Sequence, residues 1–78
     1  MPTVLRIDGY RLFFFSNEGN EPPHIHVQPA EKYAKFWLQP RQLATNSGYT
    51  GRELARIASL IDQHHDLLLE AWNEFFNR

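Results

Sequence analysis

Hydrophobic and polar positions change period once along this chain. Up to about residue 39 they alternate in twos, the spacing of half-buried strands; from about residue 50 they recur at threes and fours, the spacing of one helix face. The first apolar segment covers residues 3–7 and the second residues 10–16, with Asp8-Gly9 between them. A two-residue Asp-Gly loop supplies the positive φ of a type I′ turn, so the pair reads as a hairpin. The loop also sets the register: Ile7 against Tyr10, Arg6 against Arg11, Leu5 against Leu12 and Val4 against Phe13. One face then carries Leu5, Ile7, Tyr10, Leu12 and Phe14, and the other Val4, Arg6, Arg11, Phe13 and Phe15.

Pro22 and Pro23 fix φ and remove two N–H donors, so the residues after them begin a fresh segment. His24, His26 and Gln28 alternate with Ile25 and Val27, which predicts a third strand over residues 24–28 with both imidazoles on one face. After a turn over Pro29–Tyr33, a fourth strand over residues 34–39 stops at Pro40. With Phe36 and Leu38 turned to the core, Lys35 and Trp37 share the histidines' face. Residues 41–49 carry mixed signals and read as a helical turn followed by a bend at Gly48.

Thr50 with Glu53 three residues on is a capping box, and Leu54, Ile57, Ile61, His64, Leu68, Ala71 and Phe75 follow at helical spacing. A second stripe adds Leu60, Leu67, Trp72 and Phe76. No Gly or Pro interrupts residues 52–76, so the pattern predicts one helix over residues 51–76, about 39 Å long. A break near His64-His65 into two packed helices is the alternative. The expected fold is α+β, a single domain: a four-stranded antiparallel sheet of two hairpins with a long C-terminal helix on one face. So long a helix offers more apolar surface than this sheet covers, which points to Trp72 and Phe76 as an interface, with a second copy as homodimer or with a small partner protein.

Composition narrows the rest. A chain of 78 residues buries only about 60% of its unfolded surface, and without cysteine it has no disulfide or thiolate metal site to help it. A net charge of −1 excludes binding nucleic acid by bulk electrostatics, though not a local basic patch. The start Met1-Pro2-Thr3 lacks a signal-peptide pattern and no apolar run reaches membrane-spanning length, so a cytoplasmic protein with no membrane contact is expected.

The polar sheet face gathers Arg6, Arg11, Phe13, Phe15, His24, His26, Lys35 and Trp37. Like charges directly opposite are destabilising, so Arg6 against Arg11 makes most sense around an anion; ordinary solvated arginines are the plainer reading. A phosphate on Arg6 and Arg11, a base stacked on Phe13 or Trp37, and proton transfer by His24, His26 and Lys35 are the requirements of metal-independent RNA cleavage. Neighbouring cations would lower the histidines' pKa values. The plainer role for both histidines is to fix the loop through backbone hydrogen bonds. His-x-His on a strand also chelates metals, but spacing alone supplies no third ligand, so no metal and no cofactor are assigned.

The runs Gly9-Tyr10-Arg11-Leu12-Phe13-Phe14-Phe15-Ser16-Asn17, Pro22-Pro23-His24-Ile25-His26-Val27, Ala34-Lys35-Phe36-Trp37-Leu38 and Leu68-Leu69-Glu70-Ala71-Trp72-Asn73-Glu74-Phe75-Phe76 resemble a family of small bacterial and archaeal proteins classed as a domain of unknown function. The resemblance implies a gene set beside that of another small protein, in pairs that resemble type II toxin–antitoxin modules, with this family in the toxin role. It carries over His24, His26, Pro22 and Pro23 as signature residues and supplies no mechanism.

Overall fold

Asp8 and Gly9 both adopt positive φ, 52° and 83°, as the hairpin turn requires. The computed structural model describes residues 3–29 and 31–76; Met1, Pro2, Ala30, Asn77 and Arg78 lie outside the described residues, so the turn expected over Pro29–Tyr33 is described without Ala30. Around that first hairpin the chain builds an antiparallel sheet, strand by strand in sequence order: β1 (Thr3–Ile7), β2 (Tyr10–Phe13), β3 (His24–Gln28), β4 (Tyr33–Leu38) and β5 (Arg41–Ser47). Two helices follow, α1 (Gly51–Gln63) and α2 (His65–Phe76). The α+β class stands, with five strands in place of four and two helices in place of one. Neither helix is long and apolar enough to cross a membrane.

The β1–β2 register matches expectation at Ile7–Tyr10, Arg6–Arg11 and Leu5–Leu12. It then slips at a bulge, which places Thr3, not Val4, opposite Phe13 and lets Val4 pack against the core. β2 ends at Phe13, earlier than the apolar run suggested, because the chain turns at Phe15–Glu18, where the Glu18 N–H donates to the Phe15 carbonyl. The fifth strand replaces the expected helical turn. Residues 41–47 are exposed throughout, so they lack the buried alternation by which a strand is read. They are strand because β4 offers an edge across the tight turn at Gln39-Pro40, pairing Leu38 with Arg41 through to Tyr33 with Ser47.

Thr50 caps α1 as expected: its hydroxyl accepts from the Glu53 N–H at 3.1 Å and the Glu53 carboxylate accepts from the Thr50 N–H at 3.0 Å. The helix breaks at His64, whose φ of −115° and ψ of 21° leave the helical basin. A straight helix of about 39 Å would overhang a body 34 Å along its longest axis. The break brings α2 back over the sheet, and the His65 ring is hydrogen-bonded to the Leu38 carbonyl. Ile57 and Ile61 from α1, with Leu68 and Trp72 from α2, then bury against Leu12, Ile25, Val27, Phe36 and Leu38 of the sheet.

That packing corrects the expectation for the helix end. Trp72 has no exposure and lies in the core, its ring centre 5.2 Å from that of Phe14 and 4.3 Å from that of Phe76. Phe76 is half-buried against the same core, while Leu67 and Phe75 are the large apolar residues of α2 left exposed. Folding back supplies from within the chain the cover that a straight helix would have sought elsewhere.

Candidate functional site

The sheet face away from the helices is assembled by register. Arg11 stands between Arg6 and Gln28, Phe13 is opposite His26, His26 opposite Lys35, and His24 opposite Trp37. The strand residues singled out on that face from the sequence are therefore neighbours there, but their environments differ sharply. Arg6 is exposed and Arg11 half-buried; Phe13 is buried; Lys35 and Trp37 are half-buried; His24 and His26 are 0% and 3% exposed. Phe13 thus lies beneath the surface, with the Arg11 guanidinium 4.2 Å above its ring and the His26 ring 5.4 Å away, and it offers no free stacking face. Lys35 is committed: its ammonium donates to Glu21 at 2.9 Å and sits 4.5 Å from the Trp37 ring centre. Trp72 of α2 approaches the site, its ring centre 4.7 Å from that of His24.

What buries the histidines is the polar loop between β2 and β3. The Phe15 N–H donates to a Glu18 carboxylate oxygen at 2.8 Å, the Glu21 N–H donates to the Glu18 carbonyl at 3.1 Å, and Gly19 passes so close to Phe76 that an added Cβ would meet its ring at 2.6 Å. These contacts swing Glu18 back over the strand it precedes. Its carboxylate reaches His26 Nε2 at 2.9 Å from both oxygens and His24 Nε2 at 3.1 Å from one. One ligand-capable atom from each of Glu18, His24 and His26 lies within 4.8 Å of the others.

The outward nitrogens are held as well. His24 Nδ1 is 3.0 Å from the Pro22 carbonyl, which only accepts, so Nδ1 carries a proton. Its Nε2 faces Glu18 Oε1 at 3.1 Å, and no properly aligned hydrogen bond reaches it although it is fully buried. His26 Nδ1 is 2.6 Å from the Tyr33 hydroxyl. Burial pushes the His26 pKa down, opposed by Glu18 and assisted by the charges of His24 and Lys35. The direction is the one expected from the sequence, but the main cause is desolvation, not the cations. Burial pushes Glu18 up, yet the Phe15 N–H and the two imidazoles outweigh it and hold the carboxyl below its ordinary value. Around neutral pH the cluster therefore pairs a carboxylate with a neutral His26.

Glu18 and Tyr33 are the members that sequence reasoning did not assign. A second feature of the same face lies at the hairpin turn, where Arg6, Arg11, Gln28 and Pro29 line an open cleft of about 530 Å³. Asp8, at its rim, is engaged by Arg56 at 2.7 Å.

A five-stranded antiparallel meander covered by two helices, with two buried imidazoles held against a carboxylate of the loop between β2 and β3, defines a small α+β domain. The chain belongs to the family described as domain of unknown function DUF4160, which matches residues 9–73 and so takes in Glu18, His24, His26 and Tyr33. Nothing matches among curated proteins or among solved structures.

Proposed function

We propose that this protein binds RNA, or another phosphate-bearing polymer, through its polar sheet face, as the toxin-like member of a cytoplasmic two-protein pair. The observation that carries the reading is Arg6 directly opposite Arg11 at the open cleft, with no ion pair to either guanidinium among the described residues. Two facing cations are destabilising unless an anion lies between them, and a phosphate's oxygens match the guanidinium fork. Trp37, half-exposed on the same face, is the residue placed to stack a base. Arg11 donates its Nε–H to Thr3 at 2.9 Å, which leaves its two terminal nitrogens for a ligand.

Binding of a single-stranded RNA followed by fluorescence anisotropy against salt tests this. Two phosphate contacts contribute about 1.4 to the slope of log affinity on log salt for a single strand. Arg6→Glu/Arg11→Glu should lose at least tenfold in affinity, flatten the slope by about that amount, and relieve any growth arrest caused by expression. Equal affinity and slope in the folded variant would refute the reading. One observation favours a second reading, a protein-binding module: β5 forms an edge of the sheet with all seven residues exposed, Leu43 at 40%. An edge of that kind accepts a further strand from a partner. Co-purification of the neighbouring gene's product, abolished by a proline in β5, would separate it from RNA binding.

A further inference from the structure

We propose that Glu18, His24 and His26 form a site for one divalent transition-metal ion of the zinc class, with three protein ligands and a fourth position left to water or an exogenous ligand. The inference is independent of RNA binding, because it rests on the cluster beneath the loop and not on the arginine cleft.

Three features of the cluster support it. The first is spacing. Ligand atoms on a tetrahedral ion with bonds of 2.0–2.1 Å stand about 3.3 Å apart. The Glu18 carboxylate is 3.1 Å from His24 Nε2 and 2.9 Å from His26 Nε2, and all three ligand atoms lie within 4.8 Å of one another, so side-chain adjustment alone would bring them to that spacing. The second is a mismatch that protein groups alone leave in place. His24 commits Nδ1 to the Pro22 carbonyl, and its Nε2, fully buried 3.1 Å from a Glu18 carboxylate oxygen, has no aligned hydrogen bond. A cation held between that nitrogen and the carboxylate would give both atoms a bond, as buried polar atoms require. The third is the outer ring. Metal-bound imidazoles fix their remaining nitrogen on a carbonyl or other hydrogen-bonding group; here His24 has the Pro22 carbonyl and His26 the Tyr33 hydroxyl. Pro22 thereby has a specific role, presenting its carbonyl to the ring two residues later, at the start of the strand.

The donor set selects among ions. Two imidazoles disfavour calcium and magnesium, which take oxygen ligands, and the chain has no thiolate to favour soft monovalent copper. Two histidines, one glutamate and an open position are a donor set used by zinc enzymes of the hydrolytic kind. Glu18 is the outermost of the three, its side chain 14% exposed against 0% for His24 and 4% for His26.

The test uses the whole chain, stripped with chelator and dialysed, then titrated with zinc and cobalt(II) chloride by calorimetry and, for cobalt, by visible absorption. Binding of one equivalent with the intense bands of low-coordinate cobalt is expected, together with a rise in melting temperature. Glu18→Gln, which keeps the shape of the side chain, should abolish the rise and weaken binding by more than Tyr33→Phe, for which about a tenfold loss is expected. His64→Gln, outside the cluster, should bind as wild type. Arg6→Glu/Arg11→Glu should also bind metal normally, so failure of the RNA reading leaves this one standing. Folded wild-type protein that takes up neither ion at millimolar concentration overturns the proposal. So does undiminished affinity in folded Glu18→Gln, or loss of the site in His64→Gln. Should Glu18→Gln fail to fold, Tyr33→Phe decides: a tenfold loss supports the site and unchanged affinity overturns it.

Discussion

Replacing Trp72 by alanine tests whether the second helix closes the core from within the chain. Trp72 is fully buried, packed on Phe14, Phe76 and the His24 ring, and a tryptophan buries on the order of 200 Å², or about 5 kcal/mol at 25 cal/mol per Å². Mutational series give about 3–5 kcal/mol for such a truncation once partial collapse of the cavity is included. A chain of 78 residues has a total stability of roughly 4–12 kcal/mol, so Trp72→Ala should remove a quarter or more of it and lower the melting temperature by about 12–40 °C. Trp72→Phe should cost much less. It keeps most of the aromatic contact and removes an indole N–H that has no hydrogen-bond partner where it is buried. Urea unfolding by far-ultraviolet circular dichroism, run over a wide range of protein concentration, measures both variants. A loss under about 1 kcal/mol for Trp72→Ala, or wild-type stability that rises with protein concentration and loses that dependence in the variant, would place Trp72 at an interface between chains and refute the core assignment.

Thr50→Ala should cost about 1 kcal/mol, because it removes the hydroxyl that accepts from the Glu53 N–H in the capping box; Thr50→Asn should recover most of the loss in the same urea titration. Stability should also fall in acid. Backbone and side-chain bonds from Thr50 and Lys32 hold Glu53 below 4.5, and Arg41 holds Asp62 below 3.8, so both contribute fully above those values and lose their contribution as pH drops through the depressed ones. The urea midpoint of Glu53→Gln/Asp62→Asn should therefore vary less than wild type between about pH 5 and pH 3; parallel curves would show that neither pair matters to folding.

Much of the fold was legible because its signals were local. The Asp8-Gly9 turn, the first three hairpin pairs and the Thr50–Glu53 cap each depend on a few adjacent residues, and each is present. The strand at residues 41–47 was not legible because nothing buries it, so its sequence carries no alternation to read. The helix break near His64-His65 stood only as the alternative to one continuous helix, since no Gly or Pro marks His64 and the apolar stripe continues through it, and the alternative is what the chain adopts. Its cause is tertiary: the sheet is shorter than the helix, and Leu68 and Trp72 gain more by turning back than the one or two broken backbone bonds cost.

The site divides along the same line. Alternation put His24, His26, Lys35 and Trp37 on one face, and the strand register pairs them there. It gave no account of Glu18, because loop residues are read for the turns they make and not for where they aim. Topology could have supplied it. β3 lies beside β2 and runs antiparallel to it, so the loop joining them must cross the end of the sheet next to His24. Two acids lie on that short path, and both land on the polar face: Glu21 on Lys35 and Glu18 on the imidazoles. Gly19 lets the path pass against Phe76, where a side chain would collide. The position of the carboxylate is thus tied to the far end of α2, and the fold-back that closes the core also holds the third member of the cluster in place.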